Sequence, residues 1–418
     1  MYAVITAGGK GTRVASVNSS VPKPMLKING KPVLEHQIEC LKRQEITHIT
    51  LTIGYLGEQI RSYFGDGSRL GVEIDYLQED VPLGTAGALY DLKGRVQEDF
   101  LLINGDLIFD VDLHRLMAFH QAHSAIATLL VHPNDHPYDS GLVVTGAEDQ
   151  VTGWLTKEDE RGWYRNCVNA GIHVISPHLL DQIPGKQKVD LDRDLLRPQI
   201  PSGRIYAYRS PEYVKDMGTP DRIAAVERDL DSGLVQRKNL SHRQRAVFLD
   251  RDGTINRYVG FLRRPEEFSL LDGAAEAIRA INRSGYLAII ATNQPVIARG
   301  EVSWEQLDEI HRKMETLLGQ DGAYVDAIYI CPHHPDKGFP GERTEYKIDC
   351  DCRKPKPGLL LRAAEHYHID LENSWMLGDS VSDIEAGISA GCKTMIVNSD
   401  NSLFNAVKKW LYFEFGGK

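Results

Sequence analysis

A pair of aspartates two positions apart is the first feature of this chain that could do chemistry. Asp250 and Asp252 stand in the segment FLDRDGTIN, after an apolar run that predicts a strand. Where the strand turns, the carboxylate of Asp250 could attack an electrophile while that of Asp252 transfers a proton. A surface loop with solvated acids would explain this pair alone equally well.

Other polar residues end predicted strands of the same half and favour the catalytic interpretation. They are Thr292, Asn293 and Asp379, with Asp383 close behind, and Lys354 lies between them in the chain. Ligand sites in open α/β sheets lie at the carboxyl ends of strands. These side chains are therefore expected to meet at one edge of a sheet.

Three cysteines and a histidine have the spacing of a metal site. The segments CPHHP and CDC supply Cys331, His333, Cys350 and Cys352, with His334 as the competing ligand. A Cys3His set is typical of closed tetrahedral zinc sites, and its four protein ligands leave no open position for water. The loop is polar and proline-rich, so a metal would supply its order. This predicts a structural zinc; three buried free cysteines beside a histidine are the alternative.

A glycine-rich turn follows the first predicted strand of the chain. Within AGGKGTR, Gly8, Gly9 and Gly11 let the backbone approach a ligand closely, and successive N–H groups can hold phosphate oxygens. Arg13 adds a permanent cation with paired donors, and the prolines around Lys23 could fix a second cation over the same phosphates. The turn matches neither the Walker A pattern nor G-x-G-x-x-G, so a plain tight turn is the alternative.

Alternating strands and helices position these residues in both halves of the chain. In the first half the apolar patterns predict strands at 3–6, 48–53 and 100–104 and helices at 33–43, 112–123 and 219–230. In the second half they predict strands at 246–250, 286–292, 326–330, 375–379 and 394–397 and helices at 272–284, 303–318, 357–368 and 381–390. Such alternation predicts βαβ units. The expected fold class is α/β, with two domains that each contain an open, mostly parallel Rossmann-like sheet flanked by helices.

Length and composition agree with two domains. The chain has 418 residues, and a single core seldom grows beyond about 250–300. The polar stretch at 231–244 separates the two patterns, which predicts a first domain at 1–230, a linker, and a second domain at 245–418. The net charge of −10 argues against a nucleic-acid partner. With no signal peptide and no apolar stretch long enough for a membrane span, a cytoplasmic protein is expected.

The first half resembles the sugar nucleotidyltransferase family, in which A-G-G-x-G-T-R and P-K-P occur in this order. The resemblance implies that Thr12 joins the glycines, Arg13 and Lys23 around the nucleotide phosphates. It implies magnesium ligands at Asp106 in NGD and at Asp216 in DMGTP. The sugar 1-phosphate oxygen would attack the α-phosphate of a nucleoside triphosphate and release pyrophosphate, with Mg²⁺, Arg13 and Lys23 offsetting the charge at phosphorus.

Further motifs carry the ligand contacts that this resemblance implies. The segment PLGTAGAL would contact base and ribose, and NAG would contact the sugar. The residues concerned are Leu83, Gly84, Thr85, Asn169 and Gly171. Lys157 stands where related enzymes carry a Glu-Lys pair on the sugar phosphate, although Thr156 replaces the glutamate here. A Rossmann-like binding domain whose aspartates are helix caps or loop residues is the alternative.

The second half resembles the haloacid dehalogenase superfamily of phosphatases. That resemblance implies an aspartyl phosphate on Asp250, with Asp252 as the general acid and then as the base for water. Asp250, Asp379 and the backbone carbonyl of Asp252 would hold Mg²⁺. The transferring phosphoryl group would be bound by Thr292 and Lys354, and Asn293 would also contact the substrate.

With its cysteine loop, this half more closely resembles the D-glycero-D-manno-heptose 1,7-bisphosphate 7-phosphatase family. The shared stretches are DRDGTIN, RRPEEFSLLDG, TNQ…ARG and C-x-HHP…CDCRKPKPG. Arg353 and Lys354 stand where that family contacts the substrate phosphate. The flap reads TNQPVIARG in place of TNQSGIARG, so Pro295 and Val296 stiffen the turn and could alter contacts to the sugar. Histidinol phosphatases share the cysteine loop, which leaves the substrate open.

Together the two resemblances imply successive steps of a GDP-heptose route. The phosphatase would remove the 7-phosphate of heptose 1,7-bisphosphate, and the transferase would add GMP from GTP to heptose 1-phosphate. Neither step breaks the bond between carbon 1 and its oxygen, so both domains would share one anomer, and the guanylyl route implies the α-anomer. The alternatives are a transferase for mannose or glucose 1-phosphate beside an unrelated phosphatase, for instance one for histidinol phosphate, and a scaffold protein with degenerate sites. The sequence leaves the oligomeric state open.

Overall fold

The computed structural model describes residues 1–9 and 21–416, which fall into two compact units. Unit 1 comprises Met1–His132, Val143–Leu155 and Asn169–Asn239, and unit 2 comprises Pro133–Leu142, Thr156–Val168 and Leu240–Lys418. The sequence-based division places the two short segments of unit 2 in the first domain. In the folded chain they are part of unit 2, so the functional boundaries 1–230, 231–244 and 245–418 remain a proposal.

Unit 1 is built on a nine-stranded sheet whose central strands are parallel. The strands of this half of the chain, nine in the main sheet and four in two small sheets, are β1 (Tyr2–Thr6), β2 (Lys27–Ile28), β3 (Lys31–Pro32), β4 (His48–Ile53), β5 (Glu73–Gln78), β6 (Phe100–Asn104), β7 (Leu107–Asp110), β8 (Ala127–His132), β9 (Leu142–Thr145), β10 (Val151–Leu155), β11 (Val168–Ile175), β12 (Ile205–Arg209) and β13 (Tyr213–Asp216). Its helices are α1 (Val33–Arg43), α2 (Gly57–Phe64), α3 (Leu113–Ala122), α4 (Pro177–Leu180), α5 (Arg197–Gln199), α6 (Pro220–Asp231) and α7 (Leu234–Arg237). The sheet order is β10-β9-β11-β6-β1-β4-β5, with β8 paired to β11 and β12; β2 pairs with β3, and β7 with β13.

The centre of the unit 1 sheet is apolar along its strands because both faces are covered. Ala3, Val4 and Ile5 of β1 are fully buried. The carboxyl ends of β1 and β6 lie side by side, since the Gly105 N–H donates to the carbonyl of Thr6 at 3.0 Å. A Cβ at Gly105 would lie 2.6 Å from that carbonyl oxygen, so this approach requires glycine. Residues that follow these two strands therefore share one end of the sheet.

Unit 2 is built on a five-stranded parallel sheet. Its strands are β14 (Ala246–Leu249), β15 (Leu287–Asn293), β16 (Ala327–Cys331), β17 (Trp375–Gly378) and β18 (Lys393–Ile396), and its helices are α8 (Ala274–Ser284), α9 (Trp304–Gln320), α10 (Gly358–Tyr367), α11 (Val381–Ser389) and α12 (Leu403–Phe415). The order is β16-β15-β14-β17-β18, with every pairing parallel. The strand order switches direction at β14. A crevice for a ligand is therefore expected at the carboxyl end of this strand.

Residues 156–168 pack against α9 within unit 2. The guanidinium of Arg165 donates to Asp308 at 2.7 Å and to Glu315 at 2.9 Å. The Thr316 hydroxyl accepts from the backbone N–H of Tyr164 at 2.9 Å and lies 3.2 Å from its carbonyl oxygen. These partners are about 150 positions apart in the chain. A local pattern of apolar residues cannot reveal such long-range polar contacts, which is why the sequence-based division differs here.

The stretch predicted as a linker is ordered. It contains α7, and in unit 1 the buried side chain of Asn239 donates to Asp110 at 2.7 Å. In unit 2 the backbone N–H of Gln244 donates to the carbonyl of His368 at 2.9 Å. The aromatic C-terminal segment forms α12, whose Trp410 is fully buried in the unit 2 core. Across the described residues, none of the helices has both the length and the apolar character to cross a membrane.

Candidate active sites

Three aspartates meet in unit 2 at the carboxyl ends of two central strands. Asp250 follows β14, Asp379 follows β17, and Asp383 lies in the first turn of α11. One carboxylate oxygen from each lies within 4.8 Å of the others. Gly253 has a φ of +84°, and a Cβ there would lie 2.0 Å from the Asp379 carboxylate. The loop after β14 therefore needs glycine to approach this cluster.

Lys354 is the cation of this cluster. Its ammonium group lies 2.5 Å from Asp250 and 2.6 Å from Asp383, and its side chain is 2% exposed. Burial is the main cause that raises the pKa of Asp250 to about 7. The charge of Lys354 lowers this pKa, and the charges of Asp383 and Asp252 raise it further. Burial and the charge of Asp383 likewise raise the pKa of Asp379. Three carboxylates around one ammonium leave excess negative charge, which suits a hard divalent cation.

Asp252 has a different set of partners. Its carboxylate accepts hydrogen bonds from Arg251 at 2.8 Å, from Gln294 at 2.8 Å and from Asn256 at 3.0 Å. Burial alone would raise the pKa of Asp252, but the Arg251 charge and these hydrogen bonds lower it. The pKa values of Asp250 and Asp252, two positions apart, are therefore shifted in opposite directions.

A cavity of about 380 Å³ opens over these carboxylates. Its wall includes Tyr258, Phe261, Leu262, Pro295, Val296 and Arg353. The Arg353 guanidinium also donates to the carbonyl of His333 at 3.1 Å, which ties the cavity wall to the cysteine loop. Apolar walls with a few convergent charged groups are typical of small-molecule sites.

Both polar residues predicted at the end of β15 are held by neighbouring side chains or backbone. The buried Thr292 hydroxyl accepts from the Gln294 amide at 2.9 Å, and the same amide donates to Asp252. The Asn293 side chain exchanges two hydrogen bonds of 3.1 Å with the backbone of Lys354. Asn293 thus holds the loop that carries the lysine, and its direct contact with a ligand stays a prediction.

The cysteine loop folds back so that the four predicted ligands meet. The Sγ atoms of Cys331, Cys350 and Cys352 are separated by 3.2 to 3.6 Å, and His333 Nδ1 lies 3.3 Å from Cys352 Sγ. All four ligand atoms lie within 4.8 Å of one another. The competing residue, His334, instead accepts a hydrogen bond from the backbone N–H of Asp336 in its own loop, at 3.2 Å. These separations are comparable to the edges of a tetrahedron around an ion with metal–sulfur bonds of about 2.3 Å.

In unit 1, the two predicted magnesium ligands lie on neighbouring strands. Asp106 precedes β7 and Asp216 ends β13, and the Met217 N–H donates to the carbonyl of Asp106 at 2.9 Å. The ammonium group of Lys23 lies 2.5 Å from the Asp106 carboxylate. Arg222 donates to both oxygens of Asp216, at 2.8 and 2.6 Å. The structure thus places Asp106 and Asp216 at neighbouring strands, with Lys23 paired to the first carboxylate and Arg222 to the second.

The start of the glycine-rich turn lies beside a buried carboxylate. A Cβ at Gly8 would lie 2.7 Å from Glu79, whereas one at Gly9 would meet no described atom within 4 Å. Glu79 is 9% exposed, and burial raises its pKa. At Gly8 the backbone therefore lies close to a carboxylate of the protein itself, and its approach to a ligand phosphate stays a prediction. Three predicted phosphate-binding residues lie outside the described residues: Gly11, Thr12 and Arg13.

The segment predicted to contact base and ribose forms a turn that depends on glycine. Gly84 has a φ of +80°, and a Cβ there would lie 2.4 Å from the carbonyl oxygen of Val189. The Thr85 hydroxyl accepts from the N–H of Leu191 at 2.7 Å, and Leu83 is buried. The turn is therefore held against the chain around residue 190, and its role toward a nucleotide stays a prediction.

The predicted sugar-contacting turn lies on β11. The Gly171 N–H donates to the Asn169 side chain at 3.2 Å, and a Cβ at Gly171 would lie 2.5 Å from the Asn104 amide. Both residues thus lie beside the end of β6. Lys157 belongs to unit 2, is 63% exposed and lies 3.9 Å from Glu158. The role of Lys157 at the sugar phosphate stays a prediction.

The sequence-based prediction omitted several polar residues that hold groups at these sites, among them Arg251, Asn256, Gln294, Arg222 and Glu79. Arg251 and Gln294 stand inside DRDGTIN and TNQ, motifs that were already informative. Residue type and spacing show that a polar residue follows a strand. They do not show whether its side chain turns inward to hold a neighbour, because that direction depends on packing against distant parts of the chain.

Comparison with known proteins gives matches in both halves of the chain. Residues 2–233 match the nucleotidyl transferase family, and residues 351–410 match the HAD-hydrolase-like family. A mannose-1-phosphate guanylyltransferase of Mycobacterium tuberculosis is 34% identical over 235 residues, which are 56% of this chain and 65% of that relative, less than two thirds of its length. A D-glycero-beta-D-manno-heptose-1,7-bisphosphate 7-phosphatase of Pasteurella multocida is 42% identical over 167 residues, 40% of this chain and 88% of that relative. The crystal structure of HddC from Yersinia pseudotuberculosis aligns with a TM-score of 0.49 and 26% identity, over 55% of this chain and 100% of that one.

Proposed function

Since the chain belongs to the nucleotidyl transferase family in its first half and to the HAD-like phosphatases in its second, we propose that it is a bifunctional enzyme of GDP-heptose biosynthesis. The second domain removes the 7-phosphate of D-glycero-α-D-manno-heptose 1,7-bisphosphate. The first transfers GMP from GTP to the heptose 1-phosphate and releases pyrophosphate. The observation that carries the proposal is that each half holds its own charged cluster: Lys354 with three aspartates in the second half, and in the first half Lys23 paired with Asp106 next to the strand that ends at Asp216.

Asp250 is the nucleophile of the proposed phosphatase. Its oxygen forms a bond to phosphorus as the bond from phosphorus to the sugar oxygen breaks. Lys354, 2.5 Å away, offsets the repulsion between carboxylate and phosphate. Asp252 gives a proton to the leaving sugar oxygen and later takes one from the water that hydrolyses the aspartyl phosphate. Arg353, on the cavity wall, binds the substrate phosphate.

The proposed transferase needs no covalent intermediate, so its residues mainly position the reactants. The oxygen of the heptose 1-phosphate forms a bond to the α-phosphorus of GTP, and the bond to pyrophosphate breaks. Gly8 and Gly9 bring backbone N–H groups to the phosphates, and Lys23 and Arg13 offset their charge. The turn at Gly84 holds the nucleoside, and the turn at Asn169 holds the sugar.

Magnesium fits the carboxylates of both domains. Asp250, Asp379 and the backbone carbonyl of Asp252 would hold it in the phosphatase, and Asp106 and Asp216 would hold it in the transferase. When bound, the ion offsets the negative charge that gathers on the phosphoryl oxygens. The excess of carboxylate charge around Lys354 supports the assignment in the phosphatase.

Zinc fits the Cys3His set, and elemental analysis is expected to find about one zinc per chain. Cys350→Ser is expected to lose the metal and to lower the Tm of the second domain, with the first domain little changed, because the polar loop has little apolar core of its own. Cys392→Ser is the matched control, since Cys392 is a buried cysteine outside the set and its replacement should keep the metal. A zinc content near zero in protein purified without chelator would contradict the assignment.

The choice of anomer is the most specific part of the proposal. Neither reaction breaks the bond between carbon 1 and its oxygen, so the anomer that enters the phosphatase must be the one that the transferase accepts. The phosphatase relatives are named for the β-anomer, whereas the guanylyl route implied by the sequence uses the α-anomer. Pro295 and Val296 line the cavity and replace the usual flap residues, so they are candidates for setting this choice. We therefore expect the phosphatase to prefer the α-anomer.

Product analysis by mass spectrometry tests the function and the anomer together. The purified protein is mixed with Mg²⁺, the α- or β-anomer of heptose 1,7-bisphosphate, and GTP, ATP, CTP or UTP. The expected products are phosphate, pyrophosphate and GDP-heptose, formed from the α-anomer with GTP. No phosphate from either anomer would contradict the phosphatase assignment. A phosphatase that favours the β-anomer, together with a transferase that accepts only the α-anomer, would show that the two domains do not act on successive substrates of one pathway.

Mannose 1-phosphate is a second candidate substrate for the first domain. The 34% identity to a mannose-1-phosphate guanylyltransferase favours it. Both sugars have the manno configuration, and the heptose carries one more carbon. The ratio of kcat/KM for the two sugar 1-phosphates with GTP distinguishes them. A clear preference for mannose 1-phosphate would separate the substrates of the two domains.

A further inference from the structure

A buried pair of side chains, Arg251 and His311, lies behind Asp252. Both side chains are fully buried, and the guanidinium Nη1 lies 3.0 Å from His311 Nε2. A guanidinium can only donate, so this ring nitrogen accepts and the imidazole is neutral, with its proton on Nδ1. Within the described part of the chain, His311 Nδ1 has no hydrogen-bond partner. The hydrogen bond to Arg251 is therefore the polar contact that accounts for a histidine in this position.

The same guanidinium fixes the carboxylate of Asp252. Its Nη2 donates to both carboxylate oxygens, at 3.0 and 2.8 Å, and its Nε lies 3.3 Å from one of them. Gln294 accepts from Arg251 at 3.0 Å and donates to Asp252 at 2.8 Å, which closes a ring of hydrogen bonds. Asp252 cannot turn unless Arg251 turns too, and His311 and Gln294 hold that guanidinium at its two terminal nitrogens.

We propose that His311 is a positioning residue of the phosphatase, which fixes Arg251 and thereby the direction in which Asp252 faces the leaving oxygen. This rests on the proposed phosphatase reaction. Asp252 and Gln294 line the cavity, whereas His311, on α9, is not among its described lining residues. His311 therefore acts through Arg251 and does not touch the substrate.

Comparing substrates with different leaving groups distinguishes a positioning role for His311 from a merely structural one, because a structural defect would lower the rates for both substrates alike. With a sugar phosphate, Asp250 forms its bond to phosphorus while Asp252 gives a proton to the departing alkoxide oxygen. With p-nitrophenyl phosphate, the aryl oxide is stable as an anion and leaves without that proton. Loss of a correctly placed acid must therefore slow the sugar phosphate more than the aryl phosphate. The comparison uses kcat/KM, which covers the steps through aspartyl-phosphate formation and excludes its hydrolysis.

The test compares His311→Leu with His311→Gln in the full chain. His311→Leu removes the acceptor for Arg251, and kcat/KM for heptose 1,7-bisphosphate is expected to fall about tenfold, part of the loss expected when an acid is removed. For p-nitrophenyl phosphate the fall is expected to be less than about threefold. In His311→Gln the side-chain oxygen can accept from Arg251, so both values should return close to wild type. If the His311→Leu variant does not fold, His311→Asn can be compared with His311→Gln instead, because the asparagine side chain is too short for its amide to reach Arg251.

Ile310→Ala is the control for general loss of packing. Ile310 is a fully buried core residue next to His311 on α9, so its truncation should lower the Tm without changing the ratio of the two kcat/KM values. An unchanged ratio in folded His311→Leu, or a folded His311→Gln that is no better than Leu, would overturn the positioning role. A wild-type protein that hydrolyses p-nitrophenyl phosphate but not heptose 1,7-bisphosphate would contradict the proposed substrate alone, and glycerol 1-phosphate then serves as the alkyl ester. A wild type inert toward every ester would contradict the phosphatase itself.

Discussion

Asp250→Asn is expected to lower phosphate release from heptose 1,7-bisphosphate by about three orders of magnitude or more. Asparagine has nearly the size of aspartate but offers no carboxylate to attack phosphorus. The side chain is buried beside Lys354, which keeps a second carboxylate partner in Asp383. The replacement therefore leaves the lysine paired and removes the nucleophile. Steady-state phosphate release with Mg²⁺ measures the loss, and release of pyrophosphate from GTP and heptose 1-phosphate should persist.

Asp349→Asn is the matched control for this change. Asp349 lies in the same unit and also accepts from a lysine, Lys356, at 2.5 Å, but its side chain is 80% exposed. We expect phosphate release from this variant to match wild type. Loss of both reactions in a folded Asp250→Asn protein would contradict the assignment of two separate sites. Substantial phosphate release from that variant would show that another residue is the nucleophile.

Asp106→Asn is expected to have the opposite effect, lowering pyrophosphate release by about two to three orders of magnitude. The carboxylate lies 2.5 Å from Lys23 and next to the strand that carries Asp216. Without its charge, a magnesium ion loses a ligand and Lys23 loses the partner that holds it beside the phosphates. Pyrophosphate release from GTP and heptose 1-phosphate measures the effect, and phosphate release from heptose 1,7-bisphosphate should stay unchanged.

The matched control in this domain is Asp91→Asn. Asp91 also accepts from a lysine, Lys186, at 2.6 Å, and it belongs to unit 1 but not to the β7–β13 pair. Its replacement should leave pyrophosphate release intact. If Asp106→Asn retained nearly full transferase activity, the metal-ligand role of Asp106 would be wrong. Equal losses in both variants would indicate a general effect of removing surface charge.

The sequence predicted the fold class and most of the elements because their signal is local. Apolar runs of four to seven residues followed by glycine or aspartate indicate buried strands with a loop at the carboxyl end. The helix predicted at 219–230 is α6 (Pro220–Asp231), with Thr219 as its N-cap. The four residues of the cysteine loop that were predicted to act as a group do meet in the structure, and the sequence could indicate this because two short segments carry them all. In each case neighbouring residues contain the information.

What the sequence by itself determined is therefore which residues stand at strand ends and which residue types they offer. Only the tertiary structure decided which of them meet. Lys354 pairs with Asp250 across 104 positions, and Arg251 turns inward to His311 across 60. Residues 156–168 likewise join unit 2 through contacts with α9. The physical reason is that a buried charge must find a partner, and the partner is whichever group the packed chain brings within hydrogen-bond distance, at a separation that no local pattern records.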